Sequence, residues 1–157
     1  MMYNVLGGPN SIIPMWMVEP ITSLFSLLDR NLYKSSRTMT KIDIERGVVL
    51  VAATGISPNI SQVLGAVTIG EAFANGVNNL EVTKLVVRPD MRKKGIGTFL
   101  LIQAALVGRA NGYSTMLVTT HKEYKAEGFY ERFGMERIFE DETKVAFRRD
   151  ISEVKRI

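Results

Sequence analysis

The sequence contains no cysteine among its 157 residues, which excludes disulfide bonds, thiolate metal ligands and a cysteine nucleophile. It also lacks a long hydrophobic run, because the apolar stretch at residues 47–53 is far shorter than the roughly 20 residues that a membrane-spanning helix needs. The first residues lack the basic segment and apolar run of a secretory signal. These absences predict a soluble, cytoplasmic protein with no membrane partner.

The remaining composition is that of an ordinary globular protein, with 46% hydrophobic and 23% charged residues. No repeat or linker interrupts the chain, so we expect a single domain over residues 1–157. The net charge of +4 at pH 7 and the isoelectric point near 9.4 favour an anionic ligand. A phosphorylated small molecule and a nucleic acid would each satisfy that preference.

Two helices are predicted near the N-terminus, after an irregular start at residues 7–10. Pro20 suits the first turn of one helix, whose apolar face is formed by Ile21, Leu24, Phe25, Leu28 and Leu32. A second helix is predicted at residues 40–46. There Thr40 and Asp43 have the spacing of a capping box, and Gly47 ends the helix.

The rest of the chain alternates between strand and helix patterns. Apolar, β-branched segments predict strands at residues 48–54, 63–69 and 80–87, joined by turns at residues 55–59 and 74–79. Further elements are predicted as a helix at residues 96–110, a strand at residues 113–119, a helix at residues 121–133 and two short strands within residues 135–149. This order indicates an α/β or α+β layered domain.

The most informative segment joins the strand at residues 80–87 to the helix at residues 96–110 and reads Arg92-Lys93-Lys94-Gly95-Ile96-Gly97. Glycines allow a tight turn and a close approach of backbone to ligand, and the first N–H groups of a helix have no partner within it. A strand, a basic glycine-bearing turn and a helix start are typical of a polyphosphate site. The alternative is a basic loop that only caps the helix.

Two other phosphate-binding motifs do not fit this segment. A Walker loop requires Gly-x4-Gly-Lys-Ser/Thr, which is not present here. The dinucleotide pattern Gly-x-Gly-x-x-Gly fails because position 100 is Leu.

The segment matches the Arg/Gln-x-x-Gly-x-Gly/Ala signature of the GNAT superfamily of N-acetyltransferases. The flanks Leu85-x-Val87-x-Pro89 and Phe99-Leu100-Leu101 resemble the family's fourth strand and following helix. Downstream, the run from Ala126 through Phe129-Tyr130-Glu131 to Gly134-Met135 is similar to the family's Ala-x-x-Phe-Tyr-Glu-Lys-x-Gly-Phe segment. Both motifs have the order and separation of the family and together cover residues 80–138.

The resemblance implies a GNAT-like fold, in which about four helices flank a central mixed, mostly antiparallel twisted sheet of six to seven strands. It also implies acetyl-coenzyme A as co-substrate and no metal. The pyrophosphate would be held by the backbone of Arg92, Lys93, Lys94, Gly95, Ile96, Gly97 and Thr98. The pantetheine arm would lie beside Leu85, Val86 and Val87 as an added strand, provided that the fourth and fifth strands diverge. A backbone N–H near Val86 or Val87 would polarise the thioester carbonyl.

Catalysis requires a base and an acid. A lysine-like amine with a pKa of ~10.4 is neutral only about 0.04% of the time at pH 7, so a carboxylate would help to deprotonate it. Glu81 is the first candidate because the family often carries an acid there, and Glu71 is the second. For each of these two glutamates, the alternative is that it is a solvated strand residue.

The resemblance also implies an acid. It assigns to Tyr130, a phenol with a pKa of ~10, the protonation of the departing thiolate. The alternative is that Tyr130 only packs its helix against the sheet.

Two residues stay outside the predicted site. His121, the single histidine, is expected to be a solvated residue at a helix start. Glu123 stands where the family often has an asparagine that contacts the pantetheine arm, so that contact is not carried over.

We therefore predict an acyl-coenzyme A-dependent N-acyltransferase that transfers acetyl to a primary amine by direct attack in a ternary complex. The alternative is a non-catalytic module of the same fold that binds coenzyme A or another nucleotide. Nucleic-acid binding ranks last, because we find neither a basic recognition helix nor an exposed aromatic platform. The acceptor stays open among small amines, amino acids, protein lysines and protein N-termini, and a homodimer stays open as the oligomeric state.

Overall fold

Seven β-strands and four α-helices are found in the computed structural model, which describes residues 4–9, 12–29, 34–54, 62–74 and 76–154. The strands β1 to β7 are Asn4–Gly7, Val49–Ala53, Val63–Ala74, Val77–Val87, Thr115–His121, Glu136–Glu140 and Lys144–Asp150. The helices α1 to α4 are Val18–Phe25, Arg37–Glu45, Ile96–Ala110 and Glu127–Arg132. Among these residues, no helix is both long and apolar enough to span a membrane.

The strands form one mixed sheet in the order β1-β2-β3-β4-β5-β7-β6. Antiparallel pairs join β1 to β2, β2 to β3, β5 to β7 and β7 to β6, whereas β4 and β5 are parallel. A mixed sheet of seven strands with four helices confirms the fold class predicted from the sequence.

Backbone contacts divide the chain into two compact units, each assembled from two segments. The first unit comprises Met1–Thr68 and Lys84–Gln103, and the second comprises Ile69–Thr83 and Ala104–Ile157. The strands β3 and β4 and the helix α3 each contribute residues to both units. That the whole chain forms one domain stays a prediction.

In the first unit, α1 packs on one side of the sheet. Its buried residues include Ile21 and Phe25, which lie in one apolar cluster with Val49 and Val51 of β2. Burial of each such side chain contributes about 1.5–3 kcal/mol to stability. On the opposite side, Gly65 of β3 faces α3. A Cβ atom at Gly65 would lie 3.1 Å from the carbonyl oxygen of Val86 and 3.2 Å from Cδ1 of Leu100, so glycine permits this close packing.

In the second unit, Asn79 of β4 is the polar centre of the hairpin formed by β3 and β4. Its side chain is 1% exposed and donates hydrogen bonds to the carbonyl oxygens of Ala72 and Val77, each at 3.1 Å. It also accepts a hydrogen bond from the hydroxyl of Thr115 at the start of β5. The buried amide therefore ties the hairpin to the following strand.

Several predicted elements agree with the structure. The helix at residues 96–110 is confirmed as α3, and the two short strands within residues 135–149 are confirmed as β6 and β7. The first helix starts with Val18, which places Pro20 in its first turn as predicted. Leu32 and the turn at residues 55–59 lie outside the described residues.

Other boundaries differ for physical reasons. The second helix begins at Arg37 because Ser36 caps it by accepting a hydrogen bond from the Met39 amide, so the capping box at Thr40 and Asp43 was wrong. The start of the chain includes β1, which pairs with β2. The strands β3 and β4 extend through most of the turn predicted at residues 74–79.

The helix predicted at residues 121–133 was also wrong over its first half. His121 ends β5, where it pairs with Lys144 of β7. A short 3₁₀ turn and a left-handed Lys125 follow, and α4 begins only at Glu127. Strand pairing with a distant segment overrides the local helical pattern here.

Candidate functional site

The parallel pairing between β4 and β5 is short. It joins Leu80, Glu81 and Val82 to three residues of β5, Met116 to Val118. Both strands are described over their full length, and the pairing reaches no other residue of either. It therefore stops before Leu85, Val86 and Val87, the segment that the family resemblance assigns to the pantetheine arm.

Beyond β4, the first charges of the turn are paired with each other. Arg88 donates from Nε to Asp90 Oδ1 at 2.7 Å and from Nη2 to Asp90 Oδ2 at 3.0 Å. The hydrogen bonds from Arg88 lower the pKa of the Asp90 carboxyl, and Asp90 in turn raises the pKa of Arg88. This two-point pair engages the one carboxylate of the turn, and although Lys94 also helps to lower the pKa of Asp90, the turn keeps a net positive charge. Sequence reasoning missed the pair, although the close spacing of Arg88 and Asp90 was a signal for it.

The basic residues of the turn are exposed, and one of them has an unusual backbone conformation. Arg92, Lys93 and Lys94 are all exposed, and Lys93 has a φ of 62°, in the left-handed region. Gly95 has a φ of 86°, and a Cβ atom there would meet nothing within 4 Å. The space beside Gly95 is thus open. Arg92 also folds back, and its Nε donates a hydrogen bond of 3.1 Å to the carbonyl oxygen of Val87.

The helix α3 begins at the end of this turn. At its start, a backbone hydrogen bond of 3.0 Å runs from the Phe99 amide to the Gly95 carbonyl. The amides of Ile96, Gly97 and Thr98 precede that bond, and the first amides of a helix have no partner within it. The first turn of α3 contains no acidic residue. Together with the lysines, this helix start can hold a phosphate group.

Tyr130 lies on α4 in the second unit and is 5% exposed. Its ring packs against Phe147 of β7, with 5.6 Å between ring centroids, and against Phe129 at 5.1 Å. Burial raises the pKa of the Tyr130 phenol well above its ordinary value. The sequence analysis had used the ordinary value of ~10. The phenol is therefore neutral at physiological pH and a weaker acid than a solvated tyrosine.

The two candidate bases lie on neighbouring strands of the second unit. Glu81 is half-buried on β4 and pairs with Leu117 of β5. Glu71 is exposed on β3 and accepts a hydrogen bond of 2.8 Å from the hydroxyl of Tyr113. This bond raises the pKa of the Tyr113 phenol. Glu71 is thus already engaged by a neighbouring side chain.

The residues left out of the predicted site have other positions than expected. His121 is the last residue of β5 and the N-cap of the short 3₁₀ turn, and its half-buried ring lies edge-on to Tyr124 at 6.1 Å, so it does not begin the predicted helix at residues 121–133 and is not a fully solvated residue. Glu123 is exposed in the turn before α4. Across the described ranges, no group of three or more histidine or acidic residues is placed to hold a metal ion.

The structure thus brings together one set of predicted residues. Those assigned to the cofactor, from Leu85 to Val87 and from Arg92 to Thr98, form one continuous strand–turn–helix segment of the first unit. Tyr130 and Glu81 belong to the second unit.

Known structures with the same fold include several N-acetyltransferases. The NatC complex bound to Gag peptide and CoA matches with a TM-score of 0.73 and 16% identity, covering 96% of this chain and 99% of that chain. The PaiA N-acetyltransferase from Thermoplasma acidophilum in complex with coenzyme A matches at 0.71 with 16% identity and the same coverage, 96% and 99%. Arabidopsis thaliana Naa50 in complex with the bisubstrate analogue CoA-Ac-MVNAL matches at 0.68 with 15% identity, again over 96% and 99%. At these identities the likeness concerns the fold alone.

A search of curated protein sequences returns no match. The family model of the acetyltransferase (GNAT) domain matches residues 45–137, from the end of α2 into β6. This region includes the strand β4, the basic turn, α3 and the segment around Tyr130, and it makes up more than half of the chain. The protein therefore belongs to the GNAT acetyltransferase domain family.

Proposed function

We propose that the protein binds acetyl-coenzyme A and transfers the acetyl group to a primary amine in a ternary complex. The observation that carries this proposal is the short pairing of β4 with β5, which ends before the segment Leu85–Val87 and is followed directly by the basic turn. A backbone edge that a neighbouring strand does not pair can accept an extended ligand as an added strand. The pantetheine arm is such a ligand.

The cofactor's phosphates would bind where the turn enters α3. The exposed side chains of Arg92, Lys93 and Lys94 supply positive charge, and the amides of Ile96 to Thr98 supply donors. The pairing of Arg88 with Asp90 supports this role, because it compensates the one carboxylate of the turn. The thioester would then lie beside the end of β4, where an amide near Val86 or Val87 polarises its carbonyl.

Glu81 is the base that we favour for the acceptor amine. It is half-buried on β4, whereas Glu71 is exposed and held by Tyr113. The amine nitrogen, once deprotonated, attacks the thioester carbonyl carbon, and the carbon–sulfur bond then breaks to release coenzyme A as a thiolate. Glu81 removes the first proton of the ammonium group and passes it to water, and the attacking nitrogen loses its second proton to water as the amide forms.

Tyr130 would donate a proton to the departing thiolate. Its raised pKa keeps the phenol protonated, which the role requires. The same shift makes complete proton transfer costly. Transfer to a thiolate whose conjugate acid has a pKa of ~8.5 costs about 1.4 kcal/mol for each unit by which the pKa of Tyr130 exceeds that value. We infer that the phenol first stabilises the forming thiolate through a hydrogen bond and donates its proton as the carbon–sulfur bond breaks.

The acceptor class is the least defined part of the proposal. The NatC complex is bound to Gag peptide and CoA, and Naa50 is in complex with the bisubstrate analogue CoA-Ac-MVNAL, so a peptide amine is a natural first candidate. Small amines are the second. The weakened acidity of the buried Tyr130 favours one competing function, a module of this fold that binds coenzyme A without turnover.

Calorimetric titration with acetyl-coenzyme A, and with ATP as the control polyphosphate, tests the proposal. We expect micromolar, salt-sensitive binding of acetyl-coenzyme A and no comparable binding of ATP. Release of free thiol is then measured with peptides that have a free or a blocked N-terminus and with small amines. Binding without thiol release from any acceptor would support the non-catalytic module, and no binding by the folded protein would contradict both functions.

A further inference from the structure

Arg137 of β6 is the centre of an ion-pair network in the second unit. It donates from Nη1 to Glu140 at 2.7 Å and from Nη2 to Glu131 at 3.1 Å and Glu127 at 3.3 Å. Glu140 also contacts the ammonium group of Lys122 at 2.6 Å. The hydrogen bonds that Arg137 donates to Glu140 and Glu131 raise the pKa of Arg137, so its guanidinium stays charged.

The network holds a helix that has little to stabilise it locally. The helix α4 has six residues, and its N-cap Ala126 makes no side-chain capping bond. A helix of that length is not stable by itself and depends on tertiary contacts. Glu127 and Glu131 are four residues apart, so they lie on one face of α4, and Arg137 binds both. Tyr130 lies between them in the sequence.

Arg137 also reaches Tyr130 by a second route. Arg137 and Phe147 are partners across β6 and β7, and the guanidinium carbon lies 5.7 Å from the centre of the Phe147 ring. The Phe147 ring in turn packs against the ring of Tyr130. Phe147 is completely buried, so it has little freedom to move independently of these two neighbours.

We propose that Arg137 is the positioning residue of Tyr130. Arg137 fixes the helix that carries the phenol, and it also fixes the Phe147 ring against which the phenol packs. The catalytic consequence rests on the proposed role of Tyr130 as the proton donor to coenzyme A. A single exposed ion pair contributes little to stability. One planar guanidinium that binds carboxylates on both α4 and β6, however, restrains the position of α4 relative to β6.

The fork of hydrogen-bond donors is essential to this role. Lysine keeps the charge but concentrates it at one atom, so it cannot hold the three carboxylates in the same geometry. Arg137→Lys is therefore expected to give an intermediate effect between the wild type and Arg137→Gln. It is also the milder variant if Arg137→Gln fails to fold.

The position of Tyr130 is tested by nuclear magnetic resonance on protein labelled with carbon-13 in its tyrosine rings. The signal that is missing from Tyr130→Phe identifies Tyr130. We expect Arg137→Gln to shift or broaden that signal and Arg137→Lys to do so less. Arg148→Gln is the matched control, because Arg148 follows Phe147 on β7, points to the opposite face and lies across from Glu136 in the register of β6 and β7. An unchanged Tyr130 signal in Arg137→Gln, or an equal change in Arg148→Gln, would overturn the proposal.

The catalytic consequence is tested by a double-mutant cycle with acetyl-coenzyme A and the best amine from the thiol-release screen. We expect Arg137→Gln to lower kcat about tenfold when Tyr130 is present and less than about twofold in the Tyr130→Phe background. Equal losses in both backgrounds would show that Arg137 acts independently of Tyr130. If the wild type releases no thiol, the proposed function fails, whereas the resonance experiment still decides whether Arg137 positions Tyr130.

Discussion

The Nε atom of Arg92 donates a hydrogen bond of 3.1 Å to the carbonyl oxygen of Val87. This bond links the exposed basic turn to the last residue of β4, which belongs to the edge proposed for the pantetheine arm. A ligand that pairs with the Val87 carbonyl would replace Arg92 there and leave its guanidinium available to a phosphate. The residues proposed for the two halves of the cofactor are therefore physically connected.

Gly97→Glu is expected to weaken binding of acetyl-coenzyme A by at least about tenfold, because it adds a negative charge at the start of α3, where no acidic residue is present. Calorimetric titration measures the loss. Gly97→Ala is the control and should bind within a few-fold of the wild type, since the family signature accepts alanine at this position. Equal affinity of the Glu variant and the wild type would remove the phosphate site from the proposal.

Lys93→Gly and Lys94→Gly are expected to change stability in opposite directions. Lys93 has a φ of 62°, whereas Lys94 is not among the residues with positive φ. A left-handed conformation costs a residue with a Cβ atom about 1 kcal/mol, so glycine at position 93 should raise the free energy of unfolding by up to that amount. Glycine at position 94 should lower it by about 0.5–1 kcal/mol.

Each of these two variants also loses one positive charge of the turn. Urea unfolding measures stability, and titration at two salt concentrations measures affinity. Both variants should bind acetyl-coenzyme A more weakly and with a smaller dependence on salt. Unchanged affinity in both would show that the lysines do not face the ligand.

Tyr130→Phe is expected to lower kcat by about 10- to 100-fold while the Kd for acetyl-coenzyme A changes less than about twofold, because only the proton donor is removed. Steady-state thiol release and calorimetry give the two values. A parallel fall in turnover and affinity would instead assign Tyr130 a packing role against Phe147.

The raised pKa of Tyr130 predicts a specific dependence of stability on pH. In the unfolded chain the phenol loses its proton near pH 10, whereas the buried phenol keeps it. Above that pH the unfolded state therefore binds fewer protons than the folded state, and stability falls as pH rises. Tyr130→Phe lacks this titration. From about pH 7 to 9, the difference in unfolding free energy between wild type and variant should be constant. Above about pH 10, the wild type should lose up to about 1.4 kcal/mol of stability per pH unit relative to the variant.

Urea unfolding at about pH 7, 9 and 10.5 measures this difference. The other tyrosines titrate in both proteins and cancel. A constant difference up to about pH 10.5 would mean that the Tyr130 phenol is not shielded from solvent in the folded protein.

Asn79→Ala is expected to lower the free energy of unfolding by about 2–3 kcal/mol, because it removes the buried amide that holds Ala72, Val77 and Thr115 together. Thr115→Ser keeps the hydroxyl and serves as the mild control, whereas Thr115→Val should cost about 1–2 kcal/mol. Chemical denaturation measures all three. Losses below about 0.5 kcal/mol for Asn79→Ala would show that water replaces the amide.

Local patterns in the sequence were sufficient for some elements. The periodic apolar residues of α3, with Gly95 before the helix and Gly112 after it, define its two ends, and the basic turn lies directly before it. A helix and the turn at its start depend on residues a few positions apart, so their pattern is visible in the chain. The segment at residues 121–133 was misjudged because Val145 and Lys144 of β7 pair with Thr120 and His121 and extend β5.

The sequence by itself determined the family signature, the mixed α/β composition and the residues proposed for the phosphates, because all of these are properties of contiguous segments. Only the tertiary structure decided where the pairing of β4 with β5 stops, that Tyr130 is buried against Phe147, and that Arg137 binds carboxylates of α4 and β6. Each of these depends on residues that are distant in the chain or on solvent exclusion by several elements at once. A pattern read along one strand or helix does not contain such contacts, because they arise only when the elements pack together.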